Sequence, residues 1–190
     1  MAAWSTPCYP LPTSPAMPKP SAALLQGEIL LETRAHTAWG AAVTAQMYLP
    51  LDRERVWQQL VDYPRWQQYF PDVTQSRILD GGKPGSQAHS TRYKRLYQAA
   101  SKSFLFITAQ VEAYLRVIET LGQRIQFQFE SGSFVDFGAD LQLKDYGNGT
   151  LLIYDVQATP LIPIPSAFIQ QAIQWDLPAN MRKMRQVMCA

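Results

Sequence analysis

Two short helices, each closed by a proline, constrain the fold of this chain more than any other sequence feature. Asp52 is a favourable helix N-cap, and the apolar residues that follow it recur at helical spacing. Pro64 disfavours helical geometry at Tyr63 but can open a second helix, which should end before Pro71. Strand patterns and one C-terminal helix follow. This order predicts an α+β fold, in which two short helices follow the first core strand and a curved antiparallel sheet of about six to eight strands wraps around a long C-terminal helix.

Alternation of apolar and polar residues predicts the strands of this sheet. Ile125, Phe127 and Phe129 alternate with polar side chains, which is typical of a sheet with one buried face. The sequence Gly147-Asn148-Gly149 predicts a hairpin turn. We predict strands at residues 28–33, 42–49, 73–79, 111–118, 125–130, 135–143 and 151–158.

The segment 87–108 is ambiguous. Residues 94–102 have a composition that is compatible with a helix, whereas residues 103–108 favour a strand. We interpret the whole segment as a strand with a break. A turn at residues 81–85 should precede it.

The last predicted element is a helix from about residue 165 to residue 188. Met181 and Met184 belong to its apolar stripe, and methionine packs adaptably. Pro178 lies inside the predicted helix and should kink it. A kink at this point would allow the helix to curve over a concave sheet.

Composition limits the classes of function. The chain has 190 residues, and 17 Lys and Arg against 15 Asp and Glu leave a net charge of +2, which is too small to indicate nucleic-acid binding. Prolines are concentrated in residues 1–22, which predicts a disordered or extended tail before a single domain at 23–190. Cys8 and Cys189 show no metal spacing and suit a reducing, cytoplasmic compartment. No apolar run reaches about 18 residues, so no membrane span is predicted.

Few side chains are candidates for catalysis. His36 and His89 both fall beside predicted turns and are expected to be exposed. The sequence shows no metal-ligand spacing, no phosphate-binding loop and no nucleophile motif. We therefore predict no catalytic residue, no metal site and no cofactor.

The register of the last two predicted strands decides which face of the sheet their carboxylates occupy. Asp136 and Asp140 are expected on the outer face, beside an arginine such as Arg124. Asp155 faces solvent if Tyr154 faces the interior. With the reverse register, Asp155 would be buried and would be the best candidate for a general base.

Four pieces of sequence resemble the START-like superfamily, also called SRPBCC or polyketide cyclase/dehydrase and lipid transport. They are VWQQLVDY at 56–63, YFPDVTQS at 69–76, GSFVDF at 132–137 and TLLIYDV at 150–156. The resemblance covers about residues 40–188, and the branch that it looks most similar to includes coenzyme-Q-binding START proteins. It implies a helix-grip fold with a cavity between the sheet and the C-terminal helix, which would bind a lipid, quinone, isoprenoid or polyketide-like molecule. The superfamily has no universal catalytic residue.

Large apolar side chains are the material from which such a cavity would be built. An ordinary packed core is the alternative role for each of them. Tyr154 or Tyr114 would orient the polar end of a ligand. The predicted ligand-binding residues are Trp57, Trp66, Phe70, Tyr114, Phe127, Phe129, Phe137, Tyr154, Phe168, Ile169, Ile173, Met181 and Met184.

Three functions remain open from the sequence. The first is non-enzymatic binding or transport of a hydrophobic small molecule by a monomer or weak dimer. The second is an aromatase, cyclase or dehydratase, which would need a titratable group in the cavity. The third is an assembly factor that uses the proline-rich tail. The apolar residues of the 160–165 crossover either pack under the last helix or contact a peripheral membrane surface, and the basic segment 92–95 is either solvated or binds an anionic headgroup.

Overall fold

The computed structural model describes residues 22–81, 91–104, 107–162 and 166–190, without the side chains of residues 80, 81, 91–93, 102–104, 107–109, 166, 168 and 172. Apart from a first short helix that was not predicted, the helices and strands follow one another in the order that the sequence predicts. The elements are α1 (Ala22–Leu25), β1 (Leu30–Thr37), β2 (Gly40–Leu49), α2 (Arg53–Leu60), a 3₁₀ turn (Tyr63–Arg65), α3 (Trp66–Tyr69), β3 (Val73–Gly81), β4 (Thr91–Phe104), β5 (Ile107–Thr120), β6 (Arg124–Gly132), β7 (Phe134–Tyr146), β8 (Gly149–Pro160) and α4 (Ser166–Cys189).

The described strands form one antiparallel sheet in the order β1-β2-β8-β7-β6-β5-β4-β3. The sheet curves around the long helix α4, which confirms the predicted α+β architecture. Gly147 has a φ of 56°, and Tyr146 pairs with Gly149, so the predicted hairpin turn is also confirmed. A left-handed φ favours glycine at this position because glycine has no Cβ.

The helical alternative for residues 94–102 is wrong. β4 is continuous from Thr91 to Phe104 and pairs with β3 on one side and β5 on the other. The chain reverses between β4 and β5, where Phe104 pairs with Ile107, and this reversal lies inside residues 103–108, which were predicted as strand. Lys, Arg, Gln and Ala are good helix formers, but intrinsic propensity is a weak effect, and pairing with two neighbouring strands overrides it.

The segment of two short helices is held by side-chain hydrogen bonds to its own backbone. The Asp52 carboxylate accepts from the Arg55 N–H at 2.8 Å, which confirms the predicted N-cap. The second predicted helix is divided into the 3₁₀ turn and the single-turn α3. The Trp66 indole donates to the Leu60 carbonyl at 2.8 Å and satisfies a carbonyl at the end of α2.

The two faces of the sheet carry different clusters. The inner face packs against α2, α3 and α4 and holds the main core. On the outer face, Leu24 of α1 packs against Leu151 and Ile153 of β8. Among the described residues, no helix combines the length and the apolar character that crossing a bilayer requires.

Candidate functional site

The two halves of α4 meet the inner face differently. Towards its C-terminus, Leu177, Met181 and Met184 are 8%, 1% and 1% exposed. Towards its N-terminus, Ile169 and Ile173 are only partly buried. Pro178 stands where this change occurs and cannot donate a hydrogen bond to the preceding turn. The N-terminal half of α4 is therefore the less tightly packed half, while the predicted kink stays a prediction.

The inner face of the sheet shows the same change along its length. A hydrogen bond of 3.4 Å from Gln174 to Thr33 places the N-terminal half of α4 beside the edge strand β1. Across the sheet from this edge, several large inward-facing side chains of β6–β8 keep accessible surface. We define the apolar wall as six partly buried inner-face residues: Phe70, Phe129, Phe134, Phe137, Tyr154 and Val156.

Aromatic rings connect this wall to the closed core. Trp66 contacts Phe127 edge-on at 5.2 Å between ring centroids and stacks on Phe70 at 5.7 Å. Phe70 in turn lies 6.4 Å from Tyr154. Ring pairs in this distance range add to the free energy of area burial. The short helix segment therefore supplies one side of the wall, through Phe70.

A second group of aromatic rings also belongs to the wall. Phe134 lies 6.2 Å from Phe129, with the rings at 89°, and 5.3 Å from Phe137. Ser133, immediately before Phe134, is joined to β5 by a hydrogen bond of 2.8 Å from its amide to the Glu112 carbonyl. The close approach explains Gly132, where a Cβ would stand 2.1 Å from the same carbonyl oxygen.

Tyr154 combines desolvation with accessibility. It pairs with Ala45 and Leu141, which are both buried, so its side chain projects to the inner face. Burial raises the pKa of the Tyr154 hydroxyl to about 12. The side chain as a whole nevertheless remains only partly buried, and its hydroxyl is not hydrogen-bonded to another described residue.

The raised pKa of Tyr154 predicts a loss of stability in alkaline solution. An unfolded tyrosine ionises near pH 10, and the buried one near 12. The contribution of Tyr154 to the free energy of unfolding is therefore complete below pH 10. It falls by about 1.4 kcal/mol per pH unit as the pH rises towards 12. Urea unfolding at about pH 9 and about pH 11 should show a smaller loss for Tyr154→Phe than for the wild type. Equal losses in both proteins would contradict this assignment.

A buried polar cluster on the inner face was missed by the sequence analysis. Glu119 is 4% exposed and continues the inward alternation of Leu115 and Val117. It accepts a hydrogen bond of 2.6 Å from the Tyr63 hydroxyl and pairs with the Lys94 ammonium at 2.8 Å. We call these three residues the Glu119 cluster.

The cluster has a consistent electrostatic explanation. Burial and then the hydrogen bond to Glu119 raise the pKa of Tyr63, so that hydroxyl stays a neutral donor. Lys94 also lies 5.1 Å above the Tyr63 ring. Lys94 was interpreted as part of an exposed basic segment, but its strand position is opposite inward-facing Val117. The detectable signal was Glu119 itself, two positions after Val117 in a strand that was predicted to end at residue 118.

The candidate general base is wrong because Tyr154, and not Asp155, faces the interior. Asp155 lies on the outer face, where it accepts from the Thr44 hydroxyl at 2.5 Å and stands 3.8 Å from Arg34. Adjacent residues of a strand project to opposite faces, so the two side chains cannot share the inner face. The pairing of Asp140 with Arg124 is confirmed, with a contact of 2.8 Å from the guanidinium Nε.

His36 was predicted to be exposed beside a turn, and the structure places it differently. It lies within β1, is partly buried, and its ring Nε2 stands 2.5 Å from Asp136 Oδ2. The β1–β2 register shifts between Ala35 and Thr37, and this irregularity changes the direction in which His36 projects. His89 lies outside the described residues.

The predicted ligand-binding residues fall into three groups. Five belong to the closed core: Trp57, Trp66, Phe127, Met181 and Met184. Six lie on the inner side and are only partly buried: Phe70, Phe129, Phe137, Tyr154, Ile169 and Ile173.

Two of the predicted residues stand apart. Tyr114 is on the outer face, 5.0 Å from the ring of Tyr97, because the inward positions of β5 are Ala113 and Leu115. Tyr114 is therefore wrong as a cavity residue, and the side chain of Phe168 lies outside the described part of the chain. Phe134, which is not among the predicted ligand-binding residues, belongs to the wall.

Two surface clefts formed by described residues lie elsewhere. One of about 470 Å³ is lined mostly by polar side chains where the start of β6 meets the end of β7, including Arg53, Lys144 and Asp145. The other, of about 270 Å³, lies between α2 and the end of α4. Both are open, and neither is lined by the predicted aromatic residues, so neither is the predicted apolar site. Among the described side chains, no three His, Cys, Asp or Glu are grouped as metal ligands.

Solved structures share this fold at low sequence identity. A START superfamily protein from Mycobacterium smegmatis has a TM-score of 0.63 at 14% identity, over 77% of this chain and 96% of that one. A STAR-related lipid transfer protein from Xanthomonas axonopodis has a TM-score of 0.62 at 16% identity, over 92% and 98%. An aromatase/cyclase from Streptomyces has a TM-score of 0.58 at 10% identity, over 78% and 93%. No functionally curated protein matches the sequence.

These comparisons confirm the predicted START-like resemblance and the helix-grip fold. They do not distinguish the coenzyme-Q-binding branch, which stays a prediction. A family model for polyketide cyclase/dehydrase and lipid transport matches residues 49–185, more than half of the chain, and the protein therefore belongs to that family.

Proposed function

We propose that the protein binds a hydrophobic small molecule between the apolar wall and the N-terminal half of α4. The observation that carries this proposal is the group of large inward-facing side chains, Tyr154 among them, that the fold leaves only partly buried. Partly buried Phe129, Phe137 and Val156 face the same side of the sheet. Inward apolar surface that the protein itself leaves uncovered is available to a ligand.

Burial of the ligand would supply the affinity. Each methylene group moved from water into such a site contributes about 0.8 kcal/mol. An isoprenoid or acyl chain of moderate length would therefore bind through the wall alone, with polar contacts setting its orientation. The ligand class includes lipids, quinones, isoprenoids and polyketide-like molecules, in agreement with the family description.

Catalysis is the weaker interpretation of the same geometry. An aromatase or cyclase would need an acid or base that changes its protonation near neutral pH. Asp155 lies on the other face of the sheet, and Glu119 is engaged by Tyr63 and Lys94. The raised pKa of Tyr154 makes it a poor base at neutral pH. The assembly-factor hypothesis depends on the tail and stays a prediction, because residues 1–21 lie outside the described part.

Native mass spectrometry and a dye titration test the proposal. Protein purified from its own host should carry an apolar molecule of discrete mass. After that molecule is removed, the neutral dye N-phenyl-1-naphthylamine should bind saturably, and lipids should displace it. Ile173→Trp, which fills the space opposite the wall, should weaken dye binding, whereas the outer-face variant Tyr114→Ala should not.

Two results would contradict the proposal. One is a protein that shows neither a co-purifying molecule nor saturable dye binding. The other is equal dye binding by wild type and Ile173→Trp, because the dye would then occupy a different place.

A further inference from the structure

Tyr154 is a hydrogen-bond donor without a partner among the described residues, in a wall that is otherwise hydrocarbon. Its side chain projects to the inner face and is only partly buried, and its hydroxyl makes no hydrogen bond to another described residue. A ligand that covers this hydroxyl removes its contact with water, so binding is favoured when the ligand supplies an acceptor in return. The wall therefore has one polar group that is free to bond a ligand, on strand β8, which is paired on both sides.

The other polar groups on the inner face are already engaged with one another. The Ser76 hydroxyl donates to the Tyr63 carbonyl at 2.7 Å, and the Gln98 amide donates to Ser76 at 3.3 Å. Glu119 accepts from Tyr63 and pairs with Lys94. Of the described groups on this face, the Tyr154 hydroxyl is thus the one best placed to recognise a ligand.

The charges on the inner face restrict the ligand further. The described charged side chains there are Lys94 and Glu119, which neutralise each other at 2.8 Å. An anionic ligand would lose its hydration beside Tyr154 without meeting an unpaired cation, which is unfavourable. A hydrocarbon would leave the hydroxyl unsatisfied. A neutral oxygen acceptor, such as a carbonyl, avoids both penalties.

We propose that Tyr154 is the polar anchor of the site and that the ligand is a neutral apolar molecule bearing a carbonyl-type oxygen acceptor. This inference rests on the proposed function, since it assumes that a ligand occupies the space beside the apolar wall. The Tyr154 O–H donates to the ligand oxygen at an ordinary hydrogen-bond distance. The rest of the ligand lies against Phe70, Phe137 and Val156.

Three ligands of equal chain length test the anchor: 2-undecanone, undecane and undecanoate, each competing against N-phenyl-1-naphthylamine at neutral pH. The wild type should bind the ketone more tightly than the hydrocarbon and the carboxylate. Tyr154→Phe removes only the hydroxyl, so it should weaken ketone binding by about 3- to 10-fold and leave hydrocarbon binding unchanged. The outer-face control Tyr114→Phe should preserve all three affinities.

The outcomes separate this inference from the proposed function. If none of the three ligands displaces the dye from the wild type, the proposed function itself is contradicted. If all bind but the ketone shows no preference over the hydrocarbon, or Tyr154→Phe keeps that preference, only the anchor is overturned. Tighter binding of the carboxylate than of the ketone would also overturn it. The wild-type ranking of ketone over hydrocarbon tests the anchor even if the variant folds poorly.

Discussion

Replacing Glu119 with alanine is expected to lower the free energy of unfolding by about 3 kcal/mol. The substitution leaves the Tyr63 hydroxyl without its acceptor and Lys94 without its counter-charge, inside an inner face where Glu119 is 4% exposed. Lys94 keeps some exposure and can recover part of its hydration. The expected loss of stability is therefore at the lower end of the range for breaking a buried ion pair. Urea unfolding at neutral pH measures the change.

Two controls define the origin of this effect. Glu119→Gln keeps an oxygen acceptor for Tyr63 and should cost less than the alanine variant. Glu112→Ala lies on the same strand but on the exposed outer face, where it accepts from the Tyr97 hydroxyl at 3.1 Å. It should change stability by no more than about 0.5 kcal/mol. If Glu119→Ala and Glu112→Ala have equal effects, the Glu119 cluster does not stabilise the fold.

Enlarging two valines should have opposite consequences, because one faces the proposed site and the other the closed core. Val156→Phe is expected to change the free energy of unfolding by less than about 1 kcal/mol, since the added ring enters uncovered space. It should also weaken dye binding at least about tenfold by filling that space. Val117→Phe should cost about 1–3 kcal/mol, because Val117 is 0% exposed and has no room for a ring.

The comparison of these two variants tests the geometry without any knowledge of the natural ligand. Both substitutions add the same atoms to a β-branched position in a strand, so differences in strand propensity cancel. Urea unfolding gives the stability of each variant, and titration with N-phenyl-1-naphthylamine gives the binding. Equal destabilisation by the two substitutions would mean that the space beside Val156 is already packed.

Local patterns were sufficient for most of the fold. The alternation at Ile125, Phe127 and Phe129, the hairpin turn at Gly147 and the N-cap at Asp52 are all confirmed. Each of these signals acts over a few residues, through side-chain direction, backbone conformation or one hydrogen bond. Distant parts of the chain do not need to be known to interpret them.

Local patterns failed where a partner far along the chain decides the outcome. The strand at residues 94–102 exists because β3 and β5 flank it. His36 is engaged because Asp136, 100 positions away, comes within 2.5 Å. Glu119 is buried because Tyr63 and Lys94 come to it from two other elements. Side-chain pairing of this kind follows from the order of strands in the sheet, which sequence alternation does not encode.

The amino-acid sequence alone determined the order of strands and helices along the chain, the inward face of β6 and the family resemblance. Only the tertiary structure decided which inward side chains form closed core and which remain accessible. That division depends on where α4 lies relative to the sheet. Two hydrogen bonds that fix the position of α4 join Gln174 to Thr33 and Gln59 to Met188, pairs that are 141 and 129 positions apart. A space between two elements is a property of their distance, and no residue type or spacing along one strand specifies that distance.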